Sequence, residues 1–207
     1  MTSSTLSIPN WHSDDDDDEK EARPVTSSVP MAKFLDTRTV LIFGGIDQKV
    51  AQAVTAQLLY LDHVSHDPIK IIVNSPGGHV ESGDTIHDMI EFIASPVAVI
   101  GTGWVASAGT HIFLGAAKER RFCLPNTRFL IHQPAGGAQG KAVDIEIAAN
   151  EIIRMRGRLA QVIADKTGQP LDRVAKDIER DYWMTTSEAI DYGILGKVIR
   201  SVSEVTF

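Results

Sequence analysis

Ile69-Lys70-Ile71-Ile72-Val73-Asn74-Ser75-Pro76-Gly77-Gly78 is an apolar run that stops abruptly on turn-forming residues. Its β-branched first half, with Pro68 in front, reads as a strand. The two glycines behind it permit positive φ angles and let backbone N–H groups approach a ligand with no Cβ in the way. Pro-Gly-Gly alone also makes an ordinary turn, so its meaning depends on its neighbours.

Upstream, Thr39-Val40-Leu41-Ile42-Phe43 reads as a strand that Gly44-Gly45 breaks, and Val50, Val54, Leu58 and Leu61 then fall on one helical face before Pro68. Downstream, a helix from about Ser82 to Ala94 leads to a strand over Val97 to Gly101. Strand and helix alternate without internal repeats, which predicts an α/β domain with a largely parallel sheet. The Gly78 loop and the turn at Ser107 both follow the carboxyl ends of strands, the edge at which open α/β sheets bind ligands.

Gly103-Trp104-Val105-Ala106-Ser107-Ala108-Gly109 surrounds one hydroxyl with tiny residues. Small neighbours admit a carbonyl substrate and a base to Ser107, and the Ala108 N–H at a helix start can face a developing oxyanion. Tight packing or helix capping would use the same residues. A serine also needs a base: Phe129-Leu130-Ile131-His132 ends an apolar run on an imidazole, and Glu179-Arg180-Asp181 supplies a carboxylate able to hold that ring. The order Ser, His, Asp is no obstacle, because triads are defined by geometry. Taken alone, Asp181 could equally be a solvated or capping acid.

Other readings compete. The serine turn resembles the Gly-x-Ser-x-Gly elbow of α/β-hydrolases, but Val105 holds the first glycine position. His79 and His111 are alternative bases. His63 and His66 with Asp62 and Asp67 have a spacing a divalent metal accepts, yet no second ligand pair accompanies them, so no metal is expected. Gly137 to Lys141 lacks the flanking residues of a phosphate-binding loop, so neither ATP hydrolysis nor any cofactor is expected. Cys123, the one cysteine, reads as a buried apolar group.

From about Lys141 to Lys166, Ile145, Ile152, Met155, Leu159 and Ile163 recur at helical spacings, in a helix long enough to need a partner outside its own domain. Gly168 stops it and Pro170 bars continuation. Thr185-Thr186-Ser187-Glu188 offers a capping box for a short helix closed by Gly193, before a strand from Lys197 to Ser201.

The 207 residues, 43% of them apolar, suffice for one core, and a net charge of −7 argues against a nucleic-acid surface. Residues 1–30 stand apart: an acidic run from Asp14 to Glu19, then Pro, Ser and Thr, predict a disordered tail ahead of a folded domain at 31–207. The tail has neither secretory nor organelle-import character and no apolar stretch long enough to cross a bilayer follows, so a cytoplasmic location is expected.

Together, Asn74-Ser75-Pro76-Gly77-Gly78, Ala106-Ser107-Ala108-Gly109, Arg121-Phe122-Cys123-Leu124-Pro125-Asn126, Ile131-His132-Gln133-Pro134 and Glu179-Arg180-Asp181 resemble the proteolytic subunit of the Clp protease, ClpP, from about residue 39 to the end. The resemblance implies a crotonase-like spiral of repeated ββα units with a protruding handle helix. It implies that Ser107 is the nucleophile, His132 the base and Asp181 its orienting acid, with Gly78 and Ala108 N–H groups as the oxyanion hole. It implies two stacked heptameric rings that enclose the sites, homo- or hetero-oligomeric, and an AAA+ unfoldase, ClpX- or ClpA-like, that feeds unfolded polypeptides to them.

The departures concern docking. Met31-Ala32-Lys33-Phe34-Leu35-Asp36 stands where the family carries an axial loop and short helix. Lys70 and Ile72 replace common tyrosines of the docking pocket, while Phe92, Phe122 and Leu124 remain. A paralogous subunit of a mixed ring fits these differences. Alternatives are an idle ring subunit and a crotonase-fold acyl-CoA enzyme; a signal peptide peptidase relative would need a lysine base and a membrane anchor.

Overall fold

Three long strands, each bent in its middle and each followed by a helix, carry the fold. The computed structural model describes residues 31–207, so the expected tail at 1–30 lies outside the described residues. In chain order come α1 (Met31–Asp36), β1 (Thr39–Ile46), α2 (Gln48–Val64), β2 (Ile69–Gly78), α3 (Val80–Phe92), β3 (Val97–Ala106) and α4 (Ala108–Phe113). The chain continues through β4 (Arg121–Cys123), β5 (Arg128–Ile131), α5 (Ala142–Thr167), α6 (Leu171–Asp177), β6 (Tyr182–Met184), α7 (Thr186–Tyr192) and β7 (Lys197–Val198).

The bends turn this alternation into a ββα repeat. Pairing of β1 with β2 shifts register between Phe43 and Gly45, and pairing of β2 with β3 shifts between Val73 and Ser75. The first part of β3 pairs with β4 through Val99–Gly101, whereas its second part pairs with β5 through Trp104–Ala106. Gly44-Gly45 therefore bends β1 where the sequence pattern predicted a break. Gly44 takes φ +81°, the irregularity that a bulge needs, and the ladder resumes to Ile46.

The sheet runs β1-β2-β3-β4-β7 with all neighbours parallel, and β5 joins β3 in parallel before pairing antiparallel with β6. The largely parallel sheet expected from alternation is thus present. Its three- and four-residue strands are too short for a two-residue period to register, which is why β4 and β6 escaped the sequence reading. The last strand is likewise shorter than the predicted 197–201. Ser201 instead caps a single turn at Val202–Glu204.

Helix boundaries follow local chemistry. The Asp47 side chain accepts from the Val50 N–H at the start of α2, whose Ala51, Val54, Leu58 and Leu61 are buried. Thr185 and Glu188 form the predicted capping box of α7, which ends on Gly193 at φ +93°, and Gly168 ends α5 at φ +76°. α3 starts two residues before the predicted Ser82, directly after β2. Met31–Asp36 forms a short helix, so the helix that the family resemblance placed before the first strand is present here in another sequence.

Between the sheet and α2, α3 and α4 lies the main core, where Ile42, Ile71, Leu58, Ile86 and Ile112 are fully buried. Each such side chain contributes about 1.5–3 kcal/mol. Phe113 meets Phe129 edge-on at 5.2 Å. Alternate residues of the strands, Ala98 and Ile100, join Phe122 and Ile199 in a small second cluster. The buried Arg121 guanidinium donates to the carbonyls of Ala116, Gly193, Ile194 and Lys166, tying the ends of α5 and α7 to β4.

α5 is the longest helix among the described residues. Its 26 residues extend about 39 Å. Leu159 and Ile163 of the predicted apolar face are buried, but Ile145 is exposed, as are Val143, Ile147 and Ile153. The first half of the helix has no core of its own. Among the described residues no helix is long and apolar enough to cross a membrane.

Candidate active site

Three neighbouring strands end at one place, and each carries a polar side chain one step beyond its ladder. Ser107 follows the last residue of β3, His132 follows the last residue of β5, and Asp181 precedes the first residue of β6. Ala106 pairs with Leu130 and Ile131 pairs with Tyr182, so the three side chains converge although 74 positions separate the outer two. The Leu130 carbonyl accepts from the Ser107 N–H at 3.0 Å.

The distances are those of a hydrogen-bonded relay. His132 Nε2 lies 2.8 Å from Ser107 Oγ, and His132 Nδ1 lies 2.8 Å from Asp181 Oδ1. The carboxylate can only accept, so it fixes the ring with its proton on Nδ1 and leaves Nε2 to accept from the serine. The His132 and Asp181 side chains are 30% and 63% exposed, so this chain of contacts reaches the surface.

Backbone strain and missing side chains present the hydroxyl. Ser107 has φ +55° and ψ −121°, a conformation unfavourable for a residue bearing a Cβ. Gly77 makes room for it: a Cβ there would stand 2.5 Å from Ser107 Cβ. A Cβ on Gly78, at φ +152°, would stand 2.2 Å from the Ile46 carbonyl oxygen. Ser75 Oγ donates to the Gly44 carbonyl at 2.7 Å and accepts from the Gly77 N–H at 3.0 Å, which fixes this loop against β1. Ala108 opens α4, and a first-turn N–H has no acceptor within its own helix.

Sequence reasoning did not find the groups that hold the chain next to His132. The Gln133 N–H donates to the Ile178 carbonyl at 2.6 Å, and its side-chain amide donates to the Glu179 carbonyl at 2.9 Å. These bonds tie the chain after β5 to the end of α6, beside His132 and Asp181. The motif Ile131-His132-Gln133-Pro134 contained the signal, but only the fold shows what Gln133 meets.

The rival bases are engaged elsewhere. His79 contacts Ser82 Oγ at 2.9 Å and Glu81 at 3.2 Å. His111 Nε2 lies 2.9 Å from Asp84 Oδ1, and Arg158 donates to Asp84 Oδ2 at 2.7 Å. Burial pushes the Asp84 carboxyl up, but the His111 and Arg158 contacts outweigh it and hold the group well below the usual carboxylate range. Of Asp62, His63, His66 and Asp67, His66 pairs with Asp62 at 3.1 Å and Asp67 accepts from Ser65 at 2.9 Å. Among the described residues His87, Asp88 and Glu91 do approach one another, but Lys166 pairs with Glu91 and His87 Nδ1 bonds the His111 carbonyl.

Beside Ser107 opens a cleft walled by Val80, Leu114, Ile131, Leu159 and Ile163, together with His111. On the outer face, Phe92 and Leu124 are exposed. Phe122, expected from the resemblance to remain available for docking, is instead buried in the second cluster, because β4 pairs on both sides and turns that side chain inward.

Residues 22–202 match the Clp protease family. The chain is 51% identical over 192 residues to ATP-dependent Clp protease proteolytic subunit 3 of Rhizobium meliloti (strain 1021), covering 93% of this chain and 98% of that protein. It is 54% identical to ATP-dependent Clp protease proteolytic subunit 2 of Gluconobacter oxydans (strain 621H), covering 92% and 86%. Among solved structures it is similar to ClpP1 from Listeria monocytogenes, with a TM-score of 0.77 and 53% identity over 84% of this chain and 98% of the other.

Proposed function

The chain belongs to the Clp protease family, and from that premise we propose that it is a serine endopeptidase subunit in which Ser107, His132 and Asp181 form the catalytic triad. The observation that carries this reading is the pair of 2.8 Å contacts joining Ser107 to His132 and His132 to Asp181. Relatives named as proteolytic subunits support peptide hydrolysis over acyl-CoA chemistry.

In this mechanism His132 Nε2 takes the Ser107 proton as Oγ attacks the peptide carbonyl carbon. Asp181 stabilises the resulting imidazolium without itself being protonated. The carbonyl oxygen becomes an anion that accepts from the Gly78 and Ala108 N–H groups, and losing one such donor costs about 3 kcal/mol of transition-state stabilisation. The C–N bond breaks as His132 returns the proton to the departing amine. A water molecule, deprotonated by His132, then attacks the acyl-enzyme and releases the acid with Ser107 restored.

The chain works in two stacked heptameric rings joined through the exposed half of α5, and an AAA+ unfoldase in the cytoplasm feeds extended polypeptides into the chamber. The relatives' names number them as subunits 2 and 3, which fits a paralogous subunit, and the ring proposed for this chain is a mixed one. Fluorophosphonate labelling of the assembled full-length protein, with cleavage of unstructured peptides, tests the reading. Ser107 is expected to be the labelled residue, and Ser107→Ala and His132→Ala to abolish cleavage. Cleavage that survives both substitutions would overturn it.

A further inference from the structure

The second half of α3 brings three potential metal ligands together. His87, Asp88 and Glu91 each offer one donor atom, and these atoms all lie within 4.8 Å of one another. His87 is the buried member, its side chain 4% exposed, whereas Asp88 and Glu91 are exposed. Peptide hydrolysis at Ser107 makes no use of these groups.

Their surroundings decide which atoms are free. His87 Nδ1 lies 2.7 Å from the His111 carbonyl oxygen, which can only accept, so Nδ1 carries the proton. Burial first, and the neighbouring His111 second, hold the imidazole below its ordinary pKa, so the ring is neutral and Nε2 keeps its lone pair. Among the described residues Nε2 makes no hydrogen bond. It faces Glu91 Oε2 at 3.7 Å, beyond hydrogen-bond reach, so two electron-rich atoms confront each other with no proton between them. Glu91 is held in turn, because Lys166 pairs with its other oxygen, Oε1, and leaves Oε2 to the ring.

We propose that His87, Asp88 and Glu91 form a site for a divalent transition-metal ion, with Zn²⁺ the best match to one imidazole and two carboxylates and water completing the shell. A tetrahedral ion with ligands at about 2.0–2.2 Å needs its donors about 3.3–3.5 Å apart. The two exposed carboxylates therefore close in on a ring that stays where it is. The bond from Nδ1 to a backbone carbonyl and the lysine on the second carboxylate oxygen are the outer contacts that orient metal ligands.

Zn²⁺ titrated calorimetrically into the assembled, tag-free full-length protein tests the site. One ion per subunit is expected at the tightest site. Asp88→Asn and Glu91→Gln are each expected to weaken it at least about tenfold, a loss that even the outer partners of a metal ligand produce. Both positions are exposed, so the test does not depend on removing the buried His87 ring. Excess Zn²⁺ is expected to raise the thermal unfolding temperature of the wild type and to lose that effect in the Asp88→Asn/Glu91→Gln double variant. A wild type that binds no Zn²⁺, or a tightest site that the double variant leaves unchanged, would overturn the assignment; neither result bears on the peptidase reading.

Discussion

A Cβ placed on Gly77 would lie 2.5 Å from Ser107 Cβ and 3.0 Å from Ser107 Oγ. The loop of β2 and the turn after β3 therefore touch at Ser107, and glycine is what permits the contact. Gly77 also holds φ +98°, where an L side chain is strained. Gly77→Ala is expected to lower stability by about 1–3 kcal/mol and to slow Ser107 labelling on the order of 100-fold, because the hydroxyl must move. Gly137→Ala, with nothing within 4 Å of the added Cβ, is the control and should change neither thermal unfolding nor labelling.

Asp181 offers a cleaner separation of chemistry from stability. Its side chain is 63% exposed, so Asp181→Asn should leave unfolding within about 0.5 kcal/mol of the wild type. The amide can donate to His132 Nδ1 and so stabilise the wrong tautomer, and peptide cleavage is expected to fall on the order of 10³- to 10⁴-fold. Steady-state kinetics beside thermal unfolding checks both halves. A loss of tenfold or less would show that His132 does not depend on this carboxylate.

Much of this architecture was legible because it rests on local periodicities. The spacing of Val54, Leu58 and Leu61 gave α2, and Gly168 with Pro170 gave the end of α5 within one residue. The bend at Gly44 was not legible, since a glycine pair that ends a strand and one that curves it look alike until a partner strand is in register. Ser107 and His132 stood out at the ends of apolar runs. Asp181 did not, because its place depends on β6, three residues whose pairing with β5 is a tertiary event. The Asp84–His111–Arg158 contacts were equally hidden, as they join α3, α4 and α5 across 74 positions.

Cys123 gives a chemical probe of opening. Its residue is fully buried in β4, and burial pushes the thiol up to about 11 despite a hydrogen bond with Thr127 that acts the other way. An aromatic disulfide reagent at neutral pH should leave it unmodified in the folded protein and react stoichiometrically in denaturant. The shift also fixes a sign. The unfolded thiol ionises near 9.0, so between that pH and about 11 the unfolded state loses the proton first and the folded state is progressively disfavoured. Cys123→Ala should flatten that part of the alkaline stability curve, as equilibrium denaturation from pH 8 to 11 would measure; an unchanged slope would show that the thiol titrates alike in both states.

The first half of α5 poses the opposite problem, a surface with too little to cover it. Ile147 and Ile153 are 58% and 66% exposed, whereas Ile163 on the same helix is 6% exposed and packs in the core. If the exposed stretch is the contact between rings, Ile153→Glu should leave subunit stability within about 0.5 kcal/mol, since no buried group is lost. It should nevertheless move the native mass from a tetradecamer to a single heptameric ring. Ile163→Glu should instead destabilise the subunit itself, because a carboxylate would be buried without a partner. Native mass spectrometry beside thermal unfolding distinguishes the two effects. A tetradecamer that survives both Ile147→Glu and Ile153→Glu would remove α5 from the ring contact, since a charge forced into a closely packed apolar interface cannot be accommodated at no cost.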